Sequence, residues 1–464
     1  MKKQTYLEFI QTLLPKEEFL AFKECYQSRI PKSIKIIQSR IDKDYFFKIA
    51  SELNRTLVAP QLSNGEEKYD DVLFLKKEDK TTLWSSFLHT SWLFYSQEVA
   101  AWLSAQVLSI EEWDIVLDLC AAPWGKTIQL ADKLLQSWWG FLLANEPSDP
   151  RRKALVFNIN RCWTYNTAIS GYDGTCIWDL APETFDKVLV DAPCSGEGMQ
   201  YKADKTVTYR DPKSAEKLSK LQKQLLISWL KALKVGGELV YSTCTLNPLE
   251  NEEVIRSVMD DYPDALELVE VSIDQKSIWN SEILWGGAKK IARFWPHIQK
   301  TWGFFIAKLK KIAKIPYSIK VDKRVKVSNR DASNELQTKI RNYLKEEWWI
   351  EKKIQYSFFA SSQAIYCSTA IPELWNIFIE KIWIPIIKLW HNQEYIPQQW
   401  LVTVFWNQAK KNIFELTSKI LQSLSERGQY QGVFWPSGSF LITQLDGKWI
   451  FLVKQVGEYI KAKN

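Results

Sequence analysis

The chain is poor in three residue types: of 464 residues, 17 are glycine, three are histidine and three are methionine. The three histidines (His89, His297 and His391) are too few and too scattered for a histidine-ligated metal centre. The seven cysteines, at 25, 120, 162, 176, 194, 244 and 367, contain no C-x-x-C pair and no repeated spacing, which argues against zinc and against a disulfide framework. An odd number of free thiols suits a reducing compartment. No stretch approaches the roughly 18 apolar residues of a membrane span, and the opening Met-Lys-Lys-Gln-Thr-Tyr leads into no sustained apolar run. A cytoplasmic protein with neither metal nor membrane partner is expected. No internal repeat is visible.

The glycine shortage has a counterpart. Glycine normally makes up about 7% of a chain, and here it falls to roughly half that, while tryptophan occurs 23 times. Together the two counts are close to what glycine and an ordinary few tryptophans would total. Several tryptophans also stand where the backbone calls for glycine. Trp124 lies in the tight loop Ala122-Pro-Trp-Gly-Lys126, Trp138 and Trp139 precede Gly140 at a turn, and Trp348 and Trp349 interrupt a Lys/Glu-rich helix. We expect many of them to be glycine in the natural protein, through a stop codon that its source reads as glycine. Taken literally, Trp124 crowds a loop that must approach a ligand closely.

The length calls for two to three domains. The net charge is +7, unevenly spread. From Lys308 onward there are 24 basic and 13 acidic side chains, leaving 37 and 41 in the first 307 residues. A near-neutral body with a basic tail fits an enzyme joined to a polyanion-binding attachment; a solvated basic surface is the alternative. Residues 1–92 read as a small α/β lead-in containing the basic-apolar run Ile30–Ile37. Residues 93–312 alternate strands (114–118, 140–144, 187–191, 238–242, 303–307) with helices, one of them carrying Leu218, Leu221, Leu225, Leu226, Trp229, Leu230 and Leu233 before Gly236-Gly237. This alternation predicts a doubly wound, mostly parallel sheet. Residues 313–332 form a basic linker, and 333–464 a separate unit of short strands and helices.

Two thiols dominate the chemistry. Cys194 in Asp191-Ala-Pro-Cys-Ser-Gly-Glu-Gly198 and Cys244 in Tyr241-Ser-Thr-Cys-Thr245 each follow a β-branched run. That places each at the carboxyl end of a strand, the edge where open α/β sheets bind ligands. Asp118-Leu-Cys-Ala-Ala-Pro-Trp-Gly-Lys-Thr127 ends a strand and opens a helix whose first amides can hold an anionic group. Glu146, 28 residues after Asp118, sits at the next strand tip, where an acid can accept hydrogen bonds from ribose hydroxyls. Asp173 and Asp191 stand at two further tips. In this order the four acids outline a nucleoside-cofactor pocket, although a lone strand-tip acid is more often a helix cap.

These segments, with ANEPSDPRR (144–152), YSTCTLNPLENE (241–252), RFWPHIQKTWGFFIAKLKK (293–311) and FYSQEVAAW (94–102), resemble the motif series of the S-adenosylmethionine-dependent RNA cytosine-carbon-5 methyltransferases. The likeness spans about residues 28–312 and is greatest to the bacterial F-type enzymes of small-subunit ribosomal RNA. The family has glycine where Trp124 and Trp163 stand. The resemblance implies a Rossmann-like methyltransferase sheet flanked by a small N-terminal α/β domain and a C-terminal α+β, PUA-like RNA-binding region. It implies S-adenosylmethionine contacts at Cys120, Ala121, Ala122, Pro123, Trp124, Gly125, Lys126, Glu146, Asp173 and Asp191. It implies that Cys244 is the nucleophile and that Cys194 assists release of the methylated base. The partner it implies is RNA, small-subunit (16S) ribosomal RNA first and transfer RNA as the alternative. A non-catalytic RNA-binding assembly factor is the reading that a literal Trp124 favours.

The chemistry agrees with that division. Carbon 5 of cytosine is a poor nucleophile, and thiolate attack on carbon 6 makes it an enamine carbon that accepts a methyl group, splitting one hard step into easier ones. Asp191 is the carboxyl group placed to engage cytosine nitrogen 3. The base for the carbon-5 proton is left open, with Cys194 a candidate. His297 is expected either to orient the target nucleotide or to pack. Cys25, Cys162, Cys176 and Cys367 are expected to be structural, and Lys32, Lys35 and the 308–330 segment to hold phosphates.

Overall fold

The computed structural model describes residues 6–26, 32–52, 57–58, 72–75, 89, 92–202 (without 138, 139 and 163), 212–273, 287–316 and 334–349. It also describes shorter segments between 356 and 462.

Two helices open the chain, α1 (Tyr6–Leu13) and α2 (Lys16–Tyr26). Their apolar side chains Tyr6, Phe9, Ile10 and Phe22 do not join the lead-in sheet; they pack on Leu246 and Trp295 of the following domain. The lead-in sheet is β1 (Ser33–Ile36), β2 (Leu57–Val58), β3 (Val72–Leu75) and β4 (Phe94–Ser96), in the order β2-β3-β1-β4, with α3 (Lys43–Glu52) beside it. Because β4 pairs with β1, this sheet runs a few residues past the boundary expected at 92.

The central body holds α4 (Val99–Gln106), β5 (Ile115–Asp118), α5 (Gly125–Gln136), β6 (Phe141–Asn145), α6 (Asp149–Cys162), β7 (Thr167–Ser170) and β8 (Phe185–Asp191). It continues with α7 (Pro212–Ala232), β9 (Leu233–Thr243), α8 (Glu252–Asp261), β10 (Leu266–Val269), β11 (Ala292–Phe294), the short α9 (Pro296–Gln299) and β12 (Phe304–Lys311). The sheet order is β10-β12-β9-β8-β5-β6-β7, with β11 also on β12. Strands β5 to β9 are mutually parallel where they pair, and β12 returns antiparallel. All five strands predicted from apolar runs are present. Both sheet faces are covered, so Val116, Leu117, Val188, Leu189, Leu239 and Val240 are fully buried, which is why these strands read as continuous apolar runs.

Helix α7 buries Leu225, Leu226, Trp229 and Leu230 as its periodicity predicts. It ends before the expected Gly236-Gly237 stop, and Leu233 already belongs to β9. Gly237 stays a glycine for a packing reason: a Cβ there would lie 2.8 Å from Asp186 O.

Beyond the body come α10 (Asn334–Trp348), an antiparallel sheet of β13 (Tyr356–Ala360), β14 (Ala364–Thr369), β15 (Ile384–Leu389) and β16 (Tyr395–Pro397), and a five-stranded sheet. The latter comprises β17 (Ile413–Glu415), β18 (Gln429–Gln431), β19 (Phe440–Leu445), β20 (Lys448–Val456) and β21 (Tyr459–Ala462). Most of the 313–332 linker lies outside the described residues. Phe414, Leu416, Leu441, Val453 and Ile460 share one core with Ile34, Phe46 and Phe94, so the last sheet packs on the lead-in rather than standing alone.

Candidate active site

Parallel pairing brings the carboxyl ends of β5, β6, β7, β8 and β9 to one edge, and the strand order reverses between β5 and β8. A crevice opens at such a switch point. Asp118 ends β5, Asp191 ends β8, Glu146 follows β6, Asp173 lies beyond β7 and Cys244 follows β9. The residues singled out in the sequence therefore meet on one rim.

On the β5 side, Asp118 is buried and accepts a hydrogen bond from Thr127 Oγ1 at 2.7 Å. Its Oδ1 is buried with no hydrogen-bond partner among the described residues. Burial, reinforced by Asp191 and Glu146 and only partly offset by Thr127 and Lys126, pushes its carboxyl up to about 7. Ala121 and Ala122 are buried, Pro123 is exposed, and Trp124, Gly125 and Lys126 are half-buried where α5 begins. The Trp124 ring lies 5.1 Å from that of Tyr95, whose hydroxyl donates to Gly125 O at 2.9 Å. Burial, with the charges of Asp191, Asp118 and Glu146, pushes the Cys120 thiol well up, which suits a pocket wall and not a nucleophile.

Glu146 is buried; its Oε1 accepts the Ser148 amide at 2.9 Å and its Oε2 is 3.4 Å from Arg151. Asp173 is exposed and accepts both the amide and hydroxyl of Thr175 at 2.9 Å, a local turn and not a helix cap, since the next helical turn, 177–179, is preceded by Cys176.

On the β8–β9 side, Asp191 Oδ2 is 2.7 Å from Lys126 Nζ and Oδ1 accepts from Ser242 Oγ at 2.9 Å. Burial works against the Lys126 ammonium, but the Asp191 carboxylate outweighs it and holds that ammonium above its ordinary range. The sulfurs of Cys194 and Cys244 are 3.2 Å apart. The neighbouring Cys244 sulfur, then burial, then Glu250 and Asp191, push the Cys194 thiol well above its usual value. The raised Cys194 thiol keeps its proton, and either sulfur can donate across the 3.2 Å contact.

A shell that the sequence did not single out holds the two thiol loops together. Glu250 Oε2 accepts from the Ser195 amide (2.9 Å) and from Gln222 Nε2 (3.1 Å), and Gln222 also donates to Pro193 O (2.9 Å). Thr245 Oγ1 donates to Glu197 Oε2 (2.5 Å) and accepts from Ser195 Oγ (3.0 Å) and the Asn247 amide (3.1 Å). Gly198 donates to Cys244 O at 2.9 Å, and a Cβ at 198 would sit 2.0 Å from Gly303 O, so only glycine lets these loops touch. Glu250 and Glu197 lie inside quoted motifs, the one sequence signal that could have marked them; their burial is seen only in the fold.

The expectations for Lys35, for Lys308 with Lys311, and for Cys176 need correction. Lys35 is buried, 3.7 Å from Asp132 and 2.5 Å from Ile36 O, because both faces of β1 are covered, so it holds no phosphate. Lys308 and Lys311 are also buried, 3.0 Å from Glu238 and 3.3 Å from Glu183. The 317–330 part of that basic segment lies outside the described residues. His297 packs against Phe22 of α2 and Trp295, and burial lowers its imidazole pKa, so the packing alternative holds. Of the cysteines expected to be structural, Cys162 and Cys367 are buried and Cys25 donates to Pro296 O, whereas Cys176 is exposed. Among the described residues no cluster of three metal-ligating side chains occurs, and no helix is long and apolar enough to cross a membrane.

Residues 105–310 match the family model described as 16S rRNA methyltransferase RsmB/F. The chain is similar to the ribosomal RNA small subunit methyltransferase F of Erwinia tasmaniensis, 34% identical over 324 residues. That match covers 67% of this chain and 64% of that relative, so it leaves over a third of the relative's length unmatched. The namesake from Vibrio campbellii is 31% identical over 432 residues, 89% of this chain and 85% of its own. A solved methyltransferase homologue from Pyrococcus horikoshii superposes with a TM-score of 0.56 at 26% identity, over 66% of this chain and 95% of that one. The chain belongs to the 16S rRNA methyltransferase RsmB/F family.

Proposed function

We propose that this protein methylates carbon 5 of a cytosine in small-subunit ribosomal RNA, in the cytoplasm, with S-adenosylmethionine as donor. The observation that carries the proposal is the 3.2 Å approach of Cys194 and Cys244 at the sheet edge, beside the Lys126–Asp191 pair. The names of the relatives point to the small subunit. Residues 1–92 and 333–464 are then RNA-binding flanks, the latter PUA-like, around a catalytic domain at 93–312.

The crevice suits the donor. Asp118 Oδ1 is buried with no hydrogen-bond partner among the described residues, Glu146 and Asp173 stand at the neighbouring strand ends, and the residues from Cys120 to Lys126 enclose the start of α5. The Trp124 side chain, in that same loop, is half-buried against Tyr95. S-adenosylmethionine supplies an electrophilic methyl group on a sulfonium centre.

Cys244 Sγ, as thiolate, bonds to cytosine carbon 6, and the displaced π electrons make carbon 5 nucleophilic. The Lys126–Asp191 pair meets nitrogen 3 and keeps a proton within reach as negative charge grows there. After methyl transfer the carbon-5 proton leaves to a base, the Sγ–carbon 6 bond breaks with its electrons returning to sulfur, and the Cys194 S–H stabilises the departing thiolate. The target base must leave its stack to reach this rim, so the substrate strand is single or locally opened.

The test is incubation with labelled S-adenosylmethionine and either small ribosomal subunits or transfer RNA, with mapping of the product. Cys194→Ala should trap a covalent RNA adduct, and Cys244→Ala should give neither adduct nor product. Label incorporation that survives Cys244→Ala refutes the mechanism.

A further inference from the structure

Eight of the described tryptophans fall into two groups by backbone and burial, while Trp178 and Trp302 are half-buried with no positive φ. Trp102, Trp229, Trp295 and Trp348 are fully buried in apolar cores, and none has a positive φ. Trp92, Trp113, Trp124 and Trp349 have φ of 54°, 73°, 144° and 57°. They make up four of the seven non-glycine residues with positive φ among those described, far beyond tryptophan's share of the chain. Crowding of Cβ makes this region costly for L-residues, and a bulky side chain there is an outlier.

Each position is also one where glycine has a structural job. Trp349 follows the last residue of α10 and donates its amide to Lys345 O at 2.8 Å, the helix-ending bond made by a left-handed residue, usually glycine. Trp113 is the third residue of the turn closed by Asp114 N to Glu111 O, and a positive φ there is the type II arrangement that selects glycine. Trp92 closes the turn from His89 O. Trp124 precedes α5 with φ 144° and ψ −22°, and its side chain makes no capping bond. Nor are two of them buried: Trp113 is 61% exposed and Trp349 55%.

We infer that positions 92, 113, 124 and 349 are glycine in the protein its source makes, and that glycine at 124 is what opens the donor crevice. One codon is read there as glycine, while 102, 229, 295 and 348 are true tryptophans. The pair Trp348–Trp349 divides accordingly, the first into the core and the second at the helix stop. Trp138, Trp139 and Trp163 lie outside the described residues. The consequence at 124 rests on the S-adenosylmethionine reading; the assignment of the four residues does not.

The first test is peptide mass spectrometry of the protein purified from its source. Glycine masses at the four positions and tryptophan masses at the buried four are expected; tryptophan at all eight overturns the inference. The second uses the chain made as written and its variants. Trp92→Gly, Trp113→Gly, Trp124→Gly and Trp349→Gly combined should raise Tm by several degrees, on the order of 2–4 °C for each well-relieved site, whereas Trp229→Gly should lower it. A combined variant that melts earlier than its parent counts against the inference. By calorimetry, Trp124→Gly alone should tighten S-adenosylmethionine binding roughly tenfold or more. Unchanged affinity beside glycine masses would refute only the role in opening the crevice.

Discussion

Arg293 and Glu252 form a two-pronged pair, Nε to Oε1 and Nη2 to Oε2 both at 2.6 Å, with neither side chain exposed. Arg293 Nη1 also donates to Leu246 O at 2.8 Å, two residues past Cys244. The pair thus ties β11 and α8 to the loop that carries Cys244. Removing one partner leaves an uncompensated buried charge. Arg293→Ala should cost about 3–5 kcal/mol in urea unfolding, and Arg293→Lys should recover little because one ammonium cannot make the fork. Near-full recovery by lysine would show that only charge matters there.

Glu250 is a positioning residue for Cys194, acting through the Ser195 amide and Gln222. Glu250→Ala should lower kcat with little change in KM for RNA and should allow less Cys194–Cys244 disulfide under mild oxidation. Glu250→Gln keeps an acceptor for Ser195 and should recover most of kcat. Equal losses in both variants would mean that the carboxylate charge, not the hydrogen bond, is needed.

The neighbouring Cys244 sulfur raises the Cys194 thiol most, ahead of burial. Cys244→Ala should therefore shift the pH midpoint of Cys194 alkylation downward, read peptide by peptide with iodoacetamide. A midpoint that stays put or rises would show that the two sulfurs do not interact.

Asp118 gives a pH signature of opposite sense to most carboxylates. Its folded pKa of about 7 exceeds the ordinary 3.8, so the folded state binds more protons between those values. Its contribution is complete below about pH 4 and is lost as pH rises through 7, a change on the order of 4 kcal/mol. Asp118→Asn keeps an acceptor for Thr127 and should flatten that fall. Urea midpoints at pH 5 and 8 decide it: equal slopes in both proteins would contradict the shift.

The central strands were legible because both faces of the sheet are covered and each core strand is an unbroken apolar run. The shorter β7, β10 and β11 have four, four and three residues and carry no such run. The thiols and the Asp118–Lys126 loop stood out because chemistry concentrates at strand ends. Their support did not, since Thr245 meets Glu197 across 48 residues and Ser195 meets Glu250 across 55. Lys35 misled for a related reason: alternating Lys and Ile looks like a strand with one wet face, and only the fold reveals Asp132 on the other side.

The core shared by the first and last sheets has a consequence for biosynthesis. Ile34, Phe46 and Phe94 leave the ribosome long before Val453 and Ile460, which cover them. The lead-in must therefore wait, greasy side outward, while the intervening chain is made, an interval in which a chaperone or a premature stop would decide between a folded protein and an aggregate.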